Sequence, residues 1–404
     1  MFGKTDSRIV LTLLLLSISA LAFDVQPVKS EPRTWAVDDD GPADFHTIGG
    51  AVNAADLGDI VFVHSGTYYE NVVINKTVSL IGEDRNTTII DGNLTGYVVW
   101  IQANKVTIKR FTIQRSGTYM AVSLGIYLDN SNNSEINENL ITTNGDGILL
   151  VNACNNLIHG NIITNNGRGI RLHWSCNNNI LYKNRMINNR DDGIHIFSAS
   201  NNNFIIRNVI KSIARHPSNG IWIYGHCMYN FVCGNIITSH EDGICANSNH
   251  NLFTENSIAD NINGIICLSS SYNNIYRNNF SNNTIQVSIV RSYNNTWDNG
   301  YPSGGNYWSD HNPPDEDLDK IGDTAYVIDE NNLDRYPLIY PYGFVPKPDV
   351  NEDEIVNMLD LHVVASAFGT KPGIDRWDPI ADLIMDEIIN IRDMYTIAKN
   401  YGKT

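Results

Sequence analysis

The sequence predicts an all-β fold of stacked coils, a parallel β-helix, because two residue columns repeat in step and no helix fits between them. A glycine followed by an apolar residue recurs about every 22 residues, a period typical of a short solenoid coil. An asparagine follows each glycine at a nearly constant distance. The glycines are Gly125, Gly147, Gly169, Gly193, Gly220, Gly243 and Gly264. The asparagines are Asn139, Asn161, Asn184, Asn208, Asn235, Asn256 and Asn278.

Each repeat consists of short segments that alternate like β-strands and are separated by turns. The stretch from Gly169 to His173 reads Gly-Ile-Arg-Leu-His, and a cluster of turn-forming residues follows it. At about 3.3 Å per residue and about 4.8 Å between strands, one repeat closes one coil, which stacks on the next. The aligned asparagines are expected to form amide ladders along the stack. A leucine-rich repeat of similar period would need a Leu-rich strand and a helical segment, and the repeats contain neither.

Residues 1–22 are predicted to be a signal peptide. Lys4 and Arg8 precede an apolar run that ends in Ala20-Leu21-Ala22, so cleavage is expected near Ala22. The mature chain is then secreted or held at the cell surface. An uncleaved N-terminal anchor is the alternative, although the run is short for a bilayer span, and no stable transmembrane anchor is expected elsewhere. The net charge of −16 argues against nucleic acid as a partner.

Residues 35–290 are predicted to form the β-helix together with an N-terminal cap. The segment Thr47–Ala55 can form a short amphipathic helix, which would shield the open edge of the first coil.

The cysteines predict a ladder of small residues in one turn. Cys154, Cys176 and Cys227 each stand seven residues after a repeat glycine, where Ser200 and Ser271 stand in other coils. Disulfide bonds are permitted in an exported protein, and a Cys154–Cys176 or a Cys227–Cys233 bridge remains an alternative.

The outward face of the strands contains a candidate ligand-binding surface. The first and third residues after each repeat glycine are mostly apolar and are predicted to face the core, whereas the second and fourth are predicted to face outward. On three consecutive coils the outward residues are Arg171, His173, His195, Phe197, Trp222 and Tyr224. Aromatic rings stack on sugars, and His and Arg bind hydroxyls or carboxylates, so carbohydrate is the predicted partner. Cross-strand packing of exposed aromatic residues is the alternative.

Acidic residues along the same edge are candidates for catalysis. They are Asp146, Asp192 and Asp242, each one residue before a repeat glycine, with Asp191 and His195 close by. An inverting glycosidase needs two carboxyl groups about 6.5 to 9.5 Å apart, and these acids resemble those of polygalacturonases. However, Asp146 and Asp192 are two coils apart, and Asp-Gly is an ordinary turn sequence. The turn interpretation is favoured.

Motifs at both ends of the repeats indicate a family. They are Asp-x-x-Gly-Pro-Ala-Asp-Phe-x-Thr-Ile at 38–48, Gly-Thr-Tyr-Tyr-Glu-Asn at 66–71, Leu-Ile-Gly-Glu-Asp at 80–84, the segment Asn294–Trp308, and Tyr336-Pro337-Leu338. Together they resemble NosD-type β-helix proteins, whose repeats are described as carbohydrate-binding and sugar-hydrolysis repeats. The resemblance covers roughly Trp35 to Leu338 and implies a right-handed, pectate-lyase-like β-helix. Its functional implication is broad, because this superfold includes lyases, hydrolases, isomerases and non-catalytic surface proteins.

The same resemblance implies copper binding and a role in the maturation of a periplasmic metalloenzyme. A copper site needs a cluster of His, Met or Cys ligands. His173 and His195 stand on neighbouring coils, but the sequence offers them no clear third partner.

A closing segment with an acidic loop, residues 291–338, is expected to follow the repeats. Its side-chain oxygens are spaced for a hard cation such as calcium, and the candidate ligands are Asp315, Asp317, Asp319 and Asp323. An exposed acidic loop without an ion is the alternative.

A Pro-rich linker, 339–348, precedes a duplicated segment, 349–404, that resembles a type I dockerin. Each copy pairs a calcium-type loop with a helix, predicted over Leu361–Phe368 and from Met394 to Tyr401. The candidate ligands are Asp349, Asn351, Asp353, Asn357 and Asp360 in the first copy, and Asp382, Asp386, Asn390 and Asp393 in the second. Glu354 and Glu387 replace the usual glycine, and Ile384 removes one ligand from the second loop. The resemblance implies calcium as cofactor and a cohesin as a possible partner.

The sequence therefore favours an exported protein that binds carbohydrate or acts as a scaffold component through its dockerin-like segment. A polysaccharide lyase or glycoside hydrolase delivered to a complex is the second hypothesis, and a NosD-like maturation factor is the third. An enzymatic role is not favoured.

Overall fold

The coils stack as a right-handed parallel β-helix, which confirms the predicted parallel β-helix. The computed structural model describes residues 31–117, 123–212, 218–343, 356, 358–370 and 389–401. Three parallel sheets run along the stack, and successive strands of one coil belong to successive sheets. We number them sheets 1, 2 and 3 in the order in which the chain enters them.

Sheets 1 and 2 have 11 strands each, and sheet 3 has 10. The strands of sheet 1 are Thr34–Val37, Ile60–Val63, Ser79–Gly82, Thr107–Lys109, Glu135–Asn137, Leu157–His159, Ile180–Tyr182, Phe204–Ile206, Phe231–Cys233, Leu252–Thr254 and Asn274–Tyr276. Those of sheet 2 are Gly66–Tyr69, Thr88–Asp91, Thr112–Gln114, Leu140–Thr142, Ile162–Thr164, Arg185–Ile187, Val209–Lys211, Ile236–Thr238, Ser257–Ala259, Asn279–Ser281 and Tyr307–Trp308. Those of sheet 3 are Val72–Ile74, Tyr97–Ile101, Leu124–Asp129, Asp146–Val151, Arg168–His173, Ile194–Phe197, Asn219–Tyr224, Asp242–Asn247, Asn263–Leu268 and Ile285–Val290.

The core lies inside the coils and is built from the predicted inward residues of sheet 3 and their counterparts on the other sheets. Ile170, Ile194 and Ile221 stand opposite one another and are fully buried. Burying one such side chain stabilises the fold by about 1.5 to 3 kcal/mol. The repetition of this contact along the stack is the main apolar contribution to stability.

Buried asparagines line all three corners of the coil, whereas the sequence predicted only the column that includes Asn208. In that column, the Asn184 side chain donates to Asn208 Oδ1 at 3.1 Å and to the Ile158 carbonyl at 2.8 Å. A second column, at the corner between sheets 3 and 1, contains Asn156, Asn179, Asn203, Asn230, Asn251, Asn273 and Asn295. The third, between sheets 2 and 3, contains Asn144, Asn166, Asn189, His240, Asn261 and Asn283. We call these the inner asparagine columns.

Both ends of the β-helix are covered. Helix α1, Ile48–Ala54, packs on the first coil within the predicted Thr47–Ala55, and Glu70 accepts hydrogen bonds from its Ile48 and Gly49 amides. At the other end the closing segment contributes the hairpin Tyr326–Asp329 and Asn332–Asp334. Trp308 stacks there between Phe280 and Tyr326, at centroid distances of 4.6 and 4.2 Å.

The cysteines are free thiols, so neither of the alternative bridges is present. Cys176 and Cys227 occupy one buried turn position, as predicted, but Cys154 does not. Ala153, six residues after Gly147, takes that position instead, whereas Cys176 and Cys227 stand seven residues after their repeat glycines. Ser270, six residues after Gly264, likewise continues the column in place of Ser271.

The described part of 349–404 contains two helices, α2 (Met358–Ser366) and α3 (Ile391–Asn400), which pack together through a small apolar cluster. Helix α3 begins before the predicted Met394, because Asn390 and Asp393 form a capping box at its start. Helix α2 likewise begins before Leu361. The predicted signal peptide lies outside the described residues, as do half of the predicted linker and several predicted calcium ligands: Asp349, Asn351, Asp353, Asn357, Asp382 and Asp386.

Candidate functional site

Sheet 3 brings the predicted binding residues together on its outward side. Arg171, His195 and Trp222 are direct register partners on three consecutive strands. His173, Phe197 and Tyr224 form a second row of partners two residues further along the same strands. Parallel strands lie about 4.8 Å apart, so the six side chains form one continuous patch. We call this patch the aromatic face.

The rings of the aromatic face stack along the solenoid axis. His195 stacks on Trp222 at a centroid distance of 4.4 Å, and Phe197 stacks on Tyr224 at 5.2 Å with an interplanar angle of 4°. Trp174, which the sequence analysis did not select, stacks on His173 at 4.2 Å and is 55% exposed. Its indole extends the face by one ring.

The outward positions next to the aromatic face are less exposed than predicted. Leu149 and Val151 point away from the main core but are buried in a small separate cluster with Leu124. Cys245, the register partner of Trp222, is also buried. The aromatic face is therefore bordered by buried outward residues on both sides, at Leu149 and Val151 on one side and at Cys245 on the other.

A network of charged side chains borders the aromatic face, and Arg168 is at its centre. The Arg168 guanidinium contacts Asp191 at 2.6 Å, Asp146 at 3.5 Å and Asp192 at 3.8 Å. Arg171 contacts Asp146 at 2.6 Å. Asp146 and Asp192 are thus linked through a residue of the coil between them, a contact that the sequence analysis missed.

The alignment of the repeats in the sequence could have revealed the ion pairs of Arg168. Arg168 occupies the position before its repeat glycine, where the neighbouring coils carry Asp146 and Asp192. A cation between two acids in one column indicates an ion-pair ladder. The fourth acid, Asp242, accepts a hydrogen bond from Asn263 at 2.8 Å and lies outside this network.

Burial determines the proton affinities in the network. It raises the pKa of Asp146, although Arg171 and Arg168 act in the opposite direction. It also raises the pKa of Asp192, which accepts hydrogen bonds from Asn219 and Ser218. Burial and the two nearby guanidiniums lower the pKa of His195 to about 4. His195 is therefore neutral at pH 7 and can accept or donate a hydrogen bond.

Several polar atoms of the aromatic face are buried without a hydrogen-bond partner among the described residues. They are Trp222 Nε1, His195 Nε2 and Arg171 Nε. Buried polar groups are almost always paired, and an unpaired one costs about 1 to 3 kcal/mol. Such groups indicate that a bound molecule or water completes their hydrogen bonds.

Two groups of carboxylates could hold a cation. Asp315, Asp317 and Asp319 have oxygens within 4.8 Å of one another, as the predicted acidic loop requires, but Asp323 accepts the Glu316 amide and is not part of the group. Asp38, Asp39 and Asp40 form a second group that the sequence analysis did not select.

The described residues do not fit copper. Copper favours imidazole, thiolate and thioether ligands, whereas the two groups that could hold an ion in the described part of the chain consist of aspartates. His195 packs its ring against Trp222, and His173 packs against Phe197 and Trp174. In the segment 349–404, Asp360 and Asp393 are buried at the starts of helices α2 and α3.

None of the helices in the described ranges is long and apolar enough to cross a membrane.

Solved structures share the fold. A protein of Geobacillus virus E2, ORF18, superposes with a TM-score of 0.53 and 16% identity over 61% of this chain and 56% of that chain. The pectate lyase Pel9A superposes with a TM-score of 0.50 and 15% identity over 67% of this chain and 81% of that chain. At these identities the likeness establishes the β-helix and not an activity.

Sequence comparison identifies the family. A curated relative, the "Probable ABC transporter binding protein NosD" of Pseudomonas aeruginosa, is 40% identical over 96 residues, which are 24% of this chain and 22% of that protein. Residues 53–252 and 241–313 match the family described as "Periplasmic copper-binding protein (NosD)". Because these two segments together span more than half of the chain, the protein belongs to the NosD family.

Proposed function

We propose that the protein binds carbohydrate through the aromatic face of sheet 3. The observation that carries this proposal is the alignment of outward rings on three consecutive strands around polar atoms that lack a partner, above all Trp222 Nε1. A sugar ring offers an apolar face that can stack on the outward rings, of which Tyr224 and the neighbouring Trp174 are the most exposed. A row of rings repeated along the axis suits a chain of sugars.

Binding is favoured over catalysis because the candidate acids are not accessible. Asp146 and Asp192 are each only 2% exposed, and Arg168 lies between their carboxylates. A glycosidase needs room for the substrate between its two acids. The raised pKa of Asp192 is the observation that favours a lyase or hydrolase as the second candidate, with Asp192 as acid and His195 as base.

Affinity electrophoresis against a panel of polysaccharides tests the proposal. We expect retardation by at least one polysaccharide, and Trp222→Ala should weaken binding at least tenfold, because it removes a ring and a donor together. Tyr69→Ala, which removes an exposed ring from sheet 2, is the matched control and should bind like the parent. Release of reducing ends or unsaturated products that stops in Asp192→Asn would establish the enzyme instead.

Export and attachment to other proteins belong to the same proposal. The family description places NosD proteins in the periplasm, which agrees with the predicted signal peptide. We propose that 349–404 is a dockerin-like calcium module with a cohesin as a possible partner. Two similar helices, each with an Asn-x-x-Asp sequence at its start, support this. Calcium titration by calorimetry of the intact protein and of Asp349→Ala tests it, because loss of a ligand should weaken binding.

A further inference from the structure

A pocket continues the aromatic face toward the C-terminal coils. Its volume is about 200 Å³, and Tyr224 belongs to both the pocket and the face. Pockets that take drug-sized ligands measure about 300 to 1,000 Å³, so this one suits a single sugar unit better than a longer segment. Its lining includes Tyr224, Asn247 and Asn249.

Polar side chains in the pocket are available for a ligand. Asn247 is the register partner of Tyr224, and its side-chain amide has no hydrogen bond to the described residues. Asn249 uses its Oδ1 to accept the Ser271 amide at 2.7 Å, which leaves its NH₂ group to donate. Amide groups both donate and accept, as sugar hydroxyls do. The exposed ring of Tyr224 provides the apolar wall against which a sugar ring can stack.

No full charge lines the pocket. The lining residues include no Asp, Glu, Lys or Arg. Arg171 of the aromatic face and Arg168 of the bordering network are each paired with an aspartate at 2.6 Å. The charged network holds two arginines and three aspartates, so it does not offer an excess of positive charge to an anionic ligand. A carboxylate placed against these lining residues would lose water without pairing with a cation among them, which is unfavourable.

We propose that this pocket is a subsite for an uncharged sugar unit, so that the protein selects neutral glycans over glycans built from uronic acids. The proposal rests on carbohydrate binding by the aromatic face and specifies its ligand class. The sugar stacks on Tyr224, and its hydroxyls exchange hydrogen bonds with Asn247 and Asn249.

The test measures the affinity of the intact protein for defined polymers at one salt concentration. The neutral probes are xyloglucan, glucomannan and mixed-linkage β-glucan, and the uronic-acid probes are polygalacturonate and alginate. We expect binding to a neutral probe that is at least tenfold tighter than binding to either acidic one. Asn247→Ala should weaken neutral binding about tenfold, whereas Asn53→Ala, an exposed asparagine in helix α1, should leave it unchanged. The thermal unfolding of Asn247→Ala should match the parent, because the amide supports no described contact.

The outcomes separate this proposal from the one on which it rests. Binding that falls in Trp222→Ala but not in Asn247→Ala would keep the aromatic face as a binding site and overturn the subsite. Tighter binding to polygalacturonate or alginate would overturn the neutral selectivity. Absence of binding to every polymer would reject carbohydrate binding itself.

Discussion

The inner asparagine columns and the aromatic face use polar side chains in opposite ways. Inside, the Asn184 amide and side chain both donate to Asn208 Oδ1, and the side chain also reaches a main-chain carbonyl. Outside, Trp222 Nε1 and His195 Nε2 are buried without a partner among the described residues. Both regions repeat from coil to coil, so the difference does not come from the fold itself.

The comparison separates residues that stabilise the coil from residues that are free for a ligand. A buried amide that has all its partners supports the turn at which it stands, and its removal leaves those partners unsatisfied. An unpartnered polar group reduces stability, and a fold gains nothing by keeping it. Unpartnered groups also occur elsewhere, as at His240 and Trp100, so the aromatic face is distinguished by their concentration on three neighbouring strands, which fits a binding role.

The largest expected effect is the loss of an inner asparagine. Asn208→Ala removes the acceptor of the Asn184 amide and side chain and the donor to the Leu181 carbonyl. The Asn184 side chain keeps its bond to the Ile158 carbonyl, so the Asn184 amide and the Leu181 carbonyl are the two groups that lose this partner. At about 1 to 3 kcal/mol for each, we expect a loss of about 2 to 6 kcal/mol in the free energy of unfolding. Urea unfolding followed by circular dichroism measures it.

The matched control for this experiment is Asn247→Ala, which removes the same amide group from the outward side. We expect a change of less than about 0.5 kcal/mol, as for most surface substitutions. Equal losses for Asn208→Ala and Asn247→Ala would remove the distinction between the two regions.

Much of this architecture could be predicted from the sequence, because each coil repeats the same constraints. Residues such as Ile170 and Ile194 alternate with polar neighbours, which fixes the inward side of sheet 3. The column through Asn208 was recognisable since it keeps a nearly constant distance from the repeat glycine. The other two columns were not, because runs such as Asn177–Asn179 offer several adjacent asparagines and only the structure decides which one turns inward.

The candidate site was predictable only in part. The register of sheet 3 placed Trp222 and Tyr224 correctly, because strand pairing at a fixed period determines their neighbours. The role of Arg168 was missed, since an ion pair depends on how a long side chain folds back toward Asp191. The pocket beside Tyr224 was also missed, because its shape depends on turns from three coils.

A histidine, His240, interrupts one of the inner asparagine columns and allows a second test of the comparison. His240 occupies the corner position that Asn261 holds in the next coil, and its amide donates to Asn261 Oδ1. Burial lowers the pKa of His240 to about 4. In the unfolded chain a histidine titrates near 6.5, so the unfolded state takes up a proton first as the pH falls. Stability is therefore complete above about pH 6.5 and is lost progressively between about pH 6.5 and 4.

His240→Asn tests this effect because an amide does not titrate in that range. Between pH 7 and pH 5 the parent should lose about 2 kcal/mol more than the variant, measured from urea midpoints at both values. His195 shifts in the same direction and remains in both proteins, so the variant keeps part of the acid sensitivity. An identical pH profile for parent and His240→Asn would contradict the assignment.

The smallest effect concerns an outward turn where the backbone has a positive φ. Four successive coils place asparagine there, at Asn133, Asn155, Asn178 and Asn202, with φ between 56° and 58°. The next three coils have an aromatic side chain at this position, at Tyr229, His250 and Tyr272, with φ of 59°, 58° and 59°. Asparagine tolerates this left-handed conformation better than tyrosine does.

Tyr229→Asn should therefore relieve strain at this turn. The three rings stack on one another, at centroid distances of 5.7 and 5.3 Å, and the variant loses the first of these contacts. We expect the relief to exceed that loss, with a net gain of about 0.5 kcal/mol in unfolding free energy. Thermal and urea unfolding beside Asn202→Tyr, the reverse change one coil earlier, measure both signs. A gain for Tyr229→Asn together with a loss for Asn202→Tyr would show that these outward rings, like those of the aromatic face, are kept at the expense of stability, whereas a loss in both would assign them to the fold.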